Sequence, residues 1–315
     1  MSKTHTIFID GEAGTTGLQI RDRLKGRTDL ELISISSDKR KDAGARAELL
    51  NSVDVAILCL PDEAAIAAVS LIQPSSKTRV IDASTAYRVN PDWTYGFAEM
   101  DRGQRAKIAA ADLVTNPGCW PQGFIAVVKP LIDAGLLSRD VALTYGGVSG
   151  YSGGGKKMIA DYEAKGTAAS AFAPYALSFN HKHLPELKFY TGMTQDVLFQ
   201  PAVGNFAQGM LTTVPLFANQ LRNGIRLGNL HEVIAAHYAD QRFIEVAPLD
   251  SDEALNPEAL NNTNRMRLSV YGNEARGQFL LMAIYDNLGK GASGAAVQNL
   301  NIMIGADEAA SVDLV

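Results

Sequence analysis

The sequence predicts an α/β protein with two domains, a parallel-sheet domain followed by an α+β domain whose sheet is mostly antiparallel. In the first third of the chain, short apolar strands alternate with helices at close intervals, as in a parallel sheet covered on both faces. Beyond residue 119 the predicted strands are longer and fewer helices separate them, which is typical of an antiparallel sheet. At 315 residues the chain is long enough for two domains.

The elements of the first domain follow from apolar runs bounded by turn residues. The run VDVAILCL over 53–60 is typical of a buried strand. The other predicted strands are 6–10, 30–36 and 78–81, and the predicted helices are 15–25, 43–51 and 62–72.

The second domain is predicted to begin with a helix over 122–134. Its predicted strands are 140–148, 197–202, 209–216, 265–271 and 278–285, and its other helix covers 231–240. The stretch 146–155 contains too many glycines for regular structure, so it either presents backbone N–H groups to a ligand or is a mobile loop. A small-residue helix is expected over 294–304.

A glycine-rich loop lies between the first strand and the first helix. Gly11, Gly14 and Gly17 have the spacing G-x-x-G-x-x-G, and Thr15 and Thr16 lie between the last two glycines. Glycines at this position allow a tight turn and let a pyrophosphate approach the N-terminus of the helix. The loop indicates a dinucleotide site in a Rossmann-like domain, and the alternative is a glycine-rich turn that binds no ligand.

The polar stretch after the second strand bears on which dinucleotide is bound. The hydroxyls of Ser36 and Ser37 and the cations of Lys39 and Arg40, followed by another lysine, suit a ribose 2′-phosphate. This composition favours NADP over NAD, although Asp38 argues the other way. The alternative is a solvated charged turn.

Cys119 is the candidate nucleophile. It stands in the motif NPGCWP over 116–121, where Gly118 allows a sharp turn and Pro121 suits the first turn of a helix. A thiol at a helix N-terminus faces unpaired N–H groups, which lower its pKa and favour the thiolate. The alternative is a half-buried cysteine in a turn. The only other cysteine, Cys59, falls in the apolar run 53–60 and is predicted to be a core thiol.

Two histidines stand two residues apart in the segment NHKHLPE. Pro185 disfavours helix before it, so His181 and His183 are expected on extended chain, where both rings point to the same side. A histidine beside a thiolate forms an acid/base–nucleophile pair. The spacing also occurs among zinc ligands, but no third or fourth ligand has a recognisable spacing, and the third alternative is a pair of surface histidines.

Arg88 ends the segment DASTAYR over 82–88, which follows the fourth predicted strand. Ligands of doubly wound sheets lie beyond the carboxyl ends of the strands, so this arginine is placed to clamp an anionic group. The alternative is a surface arginine.

Composition and charge exclude several classes of protein. The net charge is −5 and no long run of like charges occurs, so nucleic-acid binding is not expected. No apolar run has the length of a membrane span, and no signal sequence is recognisable. Two cysteines make no disulfide framework, and a cytoplasmic location is expected.

Together these motifs resemble the N-acetyl-γ-glutamyl-phosphate reductases of arginine biosynthesis, and most of all their shorter form. The resemblance spans nearly the whole chain in the family's order. The matching segments are 11–17, DAS over 82–84 with Arg88, NPGC over 116–119, GVSG over 147–150, HKHLPE over 181–186, and DNLGKGASGAAVQN over 286–299. The chain departs from the longer members in the glycine stretch 151–156 and at residues 84–88.

The resemblance implies a catalytic sequence in which Cys119 attacks an acyl phosphate and the resulting thioester is reduced with NADPH. His183 is favoured as the acid/base over His181, and amides over 118–120 are candidates for the oxyanion site. No metal is implied. The implied substrate-binding residues are Arg88, Ser84, Asn116 and Ser149, and Asn287 joins the cofactor site.

The resemblance also implies the organisation of the chain. The Rossmann-like NADP-binding domain takes in 1–116 and 288–315, and the catalytic and dimerisation domain takes in 117–287. A homodimer or homotetramer built through the second sheet is expected. The rival functions are an aspartate-semialdehyde dehydrogenase or another acyl-phosphate reductase, a zinc hydrolase, and a nucleotide-sensing protein without catalysis.

Overall fold

The computed structural model describes residues 4–40, 42–249 and 254–313. Contacts within the chain divide it into two compact units. Unit 1 takes in the chain up to Pro117 and again from Ala292, and unit 2 is Gly118–Gly291.

Unit 1 is built on a parallel sheet. Among the described residues it has six strands in the order β2-β1-β3-β4-β6-β5, and all neighbouring strands run parallel. The elements in chain order are β1 (His5–Asp10), α1 (Thr15–Leu24), β2 (Leu30–Ile33), α2 (Ala43–Leu50), β3 (Val55–Leu58), α3 (Asp62–Ser70), β4 (Arg79–Asp82), β5 (Thr94–Tyr95), α4 (Gln104–Ala110) and β6 (Leu113–Thr115).

The centre of this sheet is apolar on both faces. All four residues of β3 are buried, which accounts for its continuous apolar sequence. The strand Val55–Leu58 is shorter than the predicted 53–60, and the Asp54 carboxylate just before it accepts the backbone N–H of Thr6 at 2.9 Å. The short elements β5, α4 and β6, which have between two and seven residues each, are not predicted from the sequence.

Unit 2 contains a mixed sheet with the order β11-β12-β13-β10-β7-β9-β8. Four of the six pairings between its described strands are antiparallel, which confirms the predicted fold class. Its elements are α5 (Cys119–Asp133), β7 (Thr144–Gly150), α6 (Gly155–Lys165), β8 (Phe172–Pro174), α7 (Leu184–Thr191), β9 (Leu198–Gly204), β10 (Met210–Phe217), α8 (Leu227–Tyr238), β11 (Ile244–Val246), β12 (Met266–Asn273) and β13 (Gln278–Tyr285).

The prediction of irregular chain over 146–155 is wrong. Residues up to Gly150 belong to β7, where Gly147 pairs with Thr212 of β10 on one side and with Pro201 of β9 on the other. A 3₁₀ turn follows over Tyr151–Gly154, and α6 begins at Gly155. The backbone hydrogen bonds of two neighbouring strands outweigh the low strand propensity of glycine here.

The apolar helix α5 is the central helix of unit 2. Twelve of its residues are buried, and the helix packs against α7, α8, β10 and β13. After β13 a π-helical turn over Gly289–Ser293 leads back into unit 1. There α9 (Gly294–Ile304), which has the predicted bounds, packs against α1, α4 and β4. No helix in the described part of the chain is long and apolar enough to cross a membrane.

Candidate active site

Cys119 is the first residue of α5. Gly118 is the N-cap and has extended backbone angles (φ −69°, ψ 151°), so the chain enters the helix directly at the thiol. The predicted start at Gln122 is three residues too late, because Pro121 lies within the first turn, where its missing N–H costs no helical hydrogen bond. The thiol therefore stands at the positive end of a 15-residue helix.

A buried carboxylate holds the residue before the cysteine. Glu186 lies in the first turn of α7 with 1% of its surface exposed, and its Oε2 accepts the backbone N–H of Gly118 at 3.0 Å. The proposed oxyanion role of that amide is therefore not supported, because its hydrogen is already donated to Glu186. No role for Glu186 is predicted from the sequence, although the residue belongs to the histidine motif.

The two histidines lie in a turn and not on extended chain, so that prediction is wrong. His183 has helical angles (φ −87°, ψ −13°) as the N-cap of α7, and the N–H of Leu184 donates to the carbonyl of His181 at 3.0 Å. Pro185 is accommodated within the first turn of α7, so the turn precedes the helix immediately. The turn still brings the rings together, with centroids 4.7 Å apart.

His181 is held as a neutral imidazole. Its Nδ1 accepts the backbone N–H of His183 at 3.2 Å, which places the proton of the neutral ring on Nε2. Burial, together with the charge of Lys182, lowers the pKa of His181 to about 4. The ring therefore offers an N–H donor at neutral pH.

Cys119 and both histidines line one cavity of about 440 Å³ in unit 2. Ser149, a predicted substrate-binding residue, lies in its wall with 4% of its surface exposed. The other lining residues are Trp120, Gly150, Gly153, Gly154, Met158, Tyr162, Ala173, Pro174, Tyr175, Lys182 and Val203.

Tyr175 is a cavity residue that the sequence analysis missed. Its ring contacts that of His181 with centroids 5.8 Å apart. Burial raises its pKa, and negative charge on Cys119 raises it further, so the phenol stays protonated beside a thiolate. Tyr175 lies six residues before His181 in irregular chain, where no pattern marks it.

In unit 1 the predicted glycine loop connects β1 to α1. A Cβ on Gly11, which has φ +87°, would lie 2.3 Å from the carbonyl oxygen of Cys59, and one on Gly17 would lie 2.5 Å from that of Gly11. Both positions therefore require glycine. The Oγ1 of Thr15 is buried without a hydrogen-bond partner in the described part of the chain. This loop and its unsatisfied hydroxyl at a helix N-terminus fit a bound pyrophosphate.

The polar turn after β2 lies close to the same loop. The N–H of Lys39 donates to the carbonyl of Ser36 at 3.0 Å, and Ser37 lies within this turn. Arg40 forms an ion pair with Glu12 of the glycine loop at 3.0 Å. The lysine that follows Arg40, at position 41, lies outside the described residues.

The predicted anion-binding residues of unit 1 are buried. Arg88 donates through Nε to the carbonyl of Asn116 at 3.1 Å and through Nη2 to that of Ala83 at 3.2 Å. Ser84 donates to Asp82 at 2.6 Å, and burial raises the pKa of that carboxyl to about 6. Arg88 therefore braces the loops after β4 and β6.

Two predicted ligand-binding asparagines bond to the chain itself. Asn116 donates to the carbonyl of Ala292 at 2.9 Å, and its Oδ1 accepts from Asn299 at 3.2 Å. In unit 2, Asn287 accepts the N–H of Gly209 at 2.8 Å and donates to Ser152 at 3.0 Å. Their side chains shape the backbone around the predicted sites, and ligand contact would require these bonds to exchange.

The second thiol differs from the first in its surroundings. Burial raises the pKa of Cys59 to about 12, and the neighbouring Asp82 and Asp10 add to this, so Cys59 remains a thiol. Within the described residues, no group of three histidine, cysteine, aspartate or glutamate side chains is placed to hold a metal ion.

Unit 1 has a sheet of the nucleotide-binding type, and unit 2 holds a cysteine and two histidines around one cavity. These features together define a thiol-dependent dehydrogenase. Two family models match the chain: the semialdehyde dehydrogenase NAD binding domain over residues 6–108, and the semialdehyde dehydrogenase dimerisation domain over residues 119–287. The chain belongs to the semialdehyde dehydrogenase family.

Its curated relatives give a finer similarity. The chain is 58% identical to N-acetyl-gamma-glutamyl-phosphate reductase of Chelativorans sp. over 96% of this chain and 98% of that protein. It is 56% identical to the reductase of the same name from Mesorhizobium japonicum, over 95% and 98%, and 51% identical to that of Brucella ovis, over 95% and 98%.

Solved structures share the fold. Aspartate semialdehyde dehydrogenase II of Vibrio cholerae, complexed with ASA, matches with a TM-score of 0.72 at 16% identity, over 96% of this chain and 99% of that one. Aspartate semialdehyde dehydrogenase of Candida albicans with NADP matches with a TM-score of 0.63 at 14% identity, over 98% and 100%.

Proposed function

We propose that this chain catalyses the NADPH-dependent reduction of N-acetyl-γ-glutamyl phosphate to N-acetylglutamate 5-semialdehyde and phosphate, a step of arginine biosynthesis. One observation carries the proposal: Cys119 stands at the start of α5 in a cavity that it shares with His181 and His183. Relatives 51–58% identical over nearly their whole length have the name of this reductase.

The reaction begins at the thiol. The Cys119 thiolate attacks the acyl carbon, the bond to the phosphate oxygen breaks, and a thioester remains on Cys119. A thiolate is both a good nucleophile and a good leaving group, so the same atom can be expelled after reduction, when the thiohemiacetal releases the aldehyde. The net reaction takes up one proton, which ends on the phosphate.

One of the two histidines supplies or accepts that proton. We assign His183 as the acid/base, as the sequence analysis favours, and His181 as a donor that holds the substrate through its Nε2–H. The helix N-terminus at Cys119 and the N–H of His181 both favour negative charge on the reacting oxygen. Ser149 and Tyr175 complete the polar wall of the cavity.

The glycine loop of unit 1 suits the dinucleotide. NADPH supplies the hydride when it is bound. Gly11 and Gly17 allow the close backbone packing that forms the loop, and the unsatisfied Oγ1 of Thr15 is available to one of the pyrophosphate oxygens. Ser36, Ser37, Lys39 and Arg40 are assigned to the 2′-phosphate, which is the basis for proposing NADP over NAD. Arg88 and Ser84 are proposed to bind the phosphate of the substrate.

The decisive experiment follows NADP reduction by N-acetylglutamate semialdehyde with and without inorganic phosphate. Phosphate dependence is expected, because only phosphate can cleave the thioester back to the acyl phosphate. Cys119→Ser should abolish the reaction and leave NADP binding unchanged, whereas Cys59→Ser, the matched control at the protonated thiol, should keep it. Substantial turnover by Cys119→Ser contradicts the proposal.

The same assay separates the nearest rival, aspartate-semialdehyde dehydrogenase. If the enzyme oxidises aspartate semialdehyde faster than N-acetylglutamate semialdehyde, the substrate assignment is wrong while the thioester route stands. The solved structures that have the rival's name are only 14–16% identical to this chain and support a common fold.

We also propose a homodimer or homotetramer in which a second copy covers the open face of the unit 2 sheet. A groove of about 530 Å³ lies there between β7, β9 and β10 and the segment 172–179, and Phe172, Leu177 and Phe179 are 55–69% exposed at its edge. Such a patch is typical of an interface.

Light scattering tests this assembly. Leu211, which lines the groove on β10, is replaced with arginine, and Ile66→Arg at an exposed position of α3 is the control. The variant at Leu211 should lower the molar mass of the particle and the control should not. An unchanged mass for Leu211→Arg contradicts the proposed interface.

A further inference from the structure

The first turn of α5 is bonded to two buried tyrosine hydroxyls. Tyr285, the last residue of β13, donates to the carbonyl of Cys119 at 2.6 Å, and the N–H of Gly123 donates to the same hydroxyl at 3.2 Å. Tyr145 of β7 donates to the carbonyl of Trp120 at 2.6 Å. Both tyrosines are completely buried.

The Tyr285 hydroxyl bridges a particular pair of backbone groups. The carbonyl of Cys119 and the N–H of Gly123 are four residues apart, and an α-helix joins such groups directly. Here the hydroxyl of a sheet residue bonds to both groups as well. The peptide group of the nucleophile is thereby tied to β13, and its position depends on the sheet as well as on its own helix.

Gly123 provides the space that this arrangement needs. A Cβ at this residue would lie 2.6 Å from Thr212 Oγ1, 2.7 Å from the Tyr285 hydroxyl and 3.1 Å from the Tyr145 hydroxyl. Three hydroxyl groups therefore converge on the one position of the helix that has no side chain. Glycine in a helix interior otherwise lowers helix stability relative to alanine, so its presence here fits a packing requirement.

We infer that Tyr285 is a positioning residue for the nucleophile, and that its hydroxyl, given room by Gly123, sets where the Cys119 thiol stands in the cavity. Tyr145 acts with it at the next carbonyl. This inference deepens the proposed function and rests on it wherever turnover is measured.

The hydroxyls remain donors under working conditions. Burial raises the pKa of both tyrosines, and negative charge on Cys119 raises it further. Formation of the thiolate therefore strengthens their preference for the protonated form, and the hydrogen bonds to the carbonyls of Cys119 and Trp120 persist at the pH where the thiolate reacts.

The test replaces Tyr285 with phenylalanine in the full chain. Without the hydroxyl, the first turn of α5 loses its bonds to β13 and shifts. We expect kcat to fall about 10- to 100-fold with KM within about twofold, since a displacement near 1 Å at a reacting group has effects of this size. Gly123→Ala should also lower kcat. Its methyl group pushes the Tyr285 hydroxyl away from its position, although Tyr285 itself is unchanged.

Tyr238→Phe is the matched control. Its hydroxyl donates to the carbonyl of Ala126 in the same helix at 3.0 Å, about two turns beyond the cysteine. Both tyrosine variants lose one buried hydroxyl bonded to α5, so similar decreases in melting temperature are expected. Only Tyr285→Phe should reduce kcat.

A second readout needs no substrate. Alkylation of Cys119 by iodoacetamide is followed against pH by mass spectrometry, and its half-maximal point should move to higher pH in Tyr285→Phe and Gly123→Ala, because the displaced thiol loses alignment with the helix N–H groups. If wild-type protein reduces no acyl phosphate, the proposed function fails while this readout still tests the positioning.

The inference is overturned if Tyr285→Phe keeps both the wild-type kcat and the wild-type alkylation profile. It is equally overturned if Tyr238→Phe lowers kcat as much as Tyr285→Phe does, or if Gly123→Ala is fully active with an unchanged profile.

Discussion

His181 should remain uncharged throughout the pH range in which most histidines titrate. An unfolded histidine titrates near pH 6.5, whereas burial and Lys182 lower the pKa of His181 to about 4. At pH 6 only about one His181 ring in 100 is then charged, compared with about three in four for an ordinary histidine. The Nε2–H of the neutral ring is therefore present at every pH where the Cys119 thiolate is useful.

The difference between the folded and unfolded pKa of His181 also affects the free energy of unfolding. Because the folded pKa lies below the unfolded one, the unfolded chain binds more protons between about pH 4 and pH 6.5, and stability rises with pH through that window. At pH 5 the one-site linkage relation gives about 2 kcal/mol of destabilisation relative to pH 8. The ring is only partly buried, so solvent screening reduces this to about 1 kcal/mol.

Two measurements test this reasoning. NMR of protein with ¹³C-labelled histidine should show one ring with no titration between pH 5.5 and 8, and that resonance should be missing from His181→Gln. Between pH 8 and pH 5 the free energy of unfolding should fall by about 1 kcal/mol more in wild type than in His181→Gln. A His181 midpoint at pH 6 or above, or equal losses in the two proteins, refutes the reasoning.

Substitutions at three further residues, two of them with a control variant, have defined outcomes. Glu186→Ala should lower the free energy of unfolding by about 1.5–3 kcal/mol in urea titrations, since a buried bond to a charged group is lost, whereas Glu186→Gln keeps an oxygen acceptor and should lose less. Gly17→Ala should weaken NADP binding in calorimetry and destabilise the protein by about 1–3 kcal/mol, because its Cβ would overlap a backbone carbonyl. Arg40→Ala should raise KM for NADPH at least about tenfold without changing that for NADH, whereas Arg21→Ala, at the other arginine paired with Glu12, should change neither.

The order of the parallel-sheet elements could be predicted because burial on both faces leaves a local signal. The residues of β3 are apolar without interruption, and α1 follows a glycine loop directly after β1. The two residues of β5 have no such signal, since a strand of that length is defined by its partner β6 and not by its own sequence. The glycines of β7 have a low strand propensity, and the strand forms because β9 and β10 pair with it.

The candidate site likewise has features that the sequence predicts and features that it does not. A cysteine between a flexible glycine and a proline indicates a helix start, because these residue types restrict the chain over one turn. Two histidines followed by a proline predict that the rings lie close together, and they do, although a turn and not extended chain joins them. The predicted proximity rests on strand alternation, whereas the observed turn depends on His183 adopting helical angles as the N-cap of α7.

The contacts that hold the nucleophile had no local signal at all. Gly118 bonds to Glu186, 68 residues away, and Cys119 bonds to Tyr285, 166 residues away. A glutamate in the first turn of a helix is sufficiently explained by the helix dipole, and a tyrosine at the end of a strand by burial, so neither residue type suggests a bond to a distant helix start. The local motif determines that a thiol stands at a helix N-terminus, but the fold determines where that terminus lies. Substitutions at Glu186 and Tyr285 can therefore impair the thiol while every motif around Cys119 stays intact.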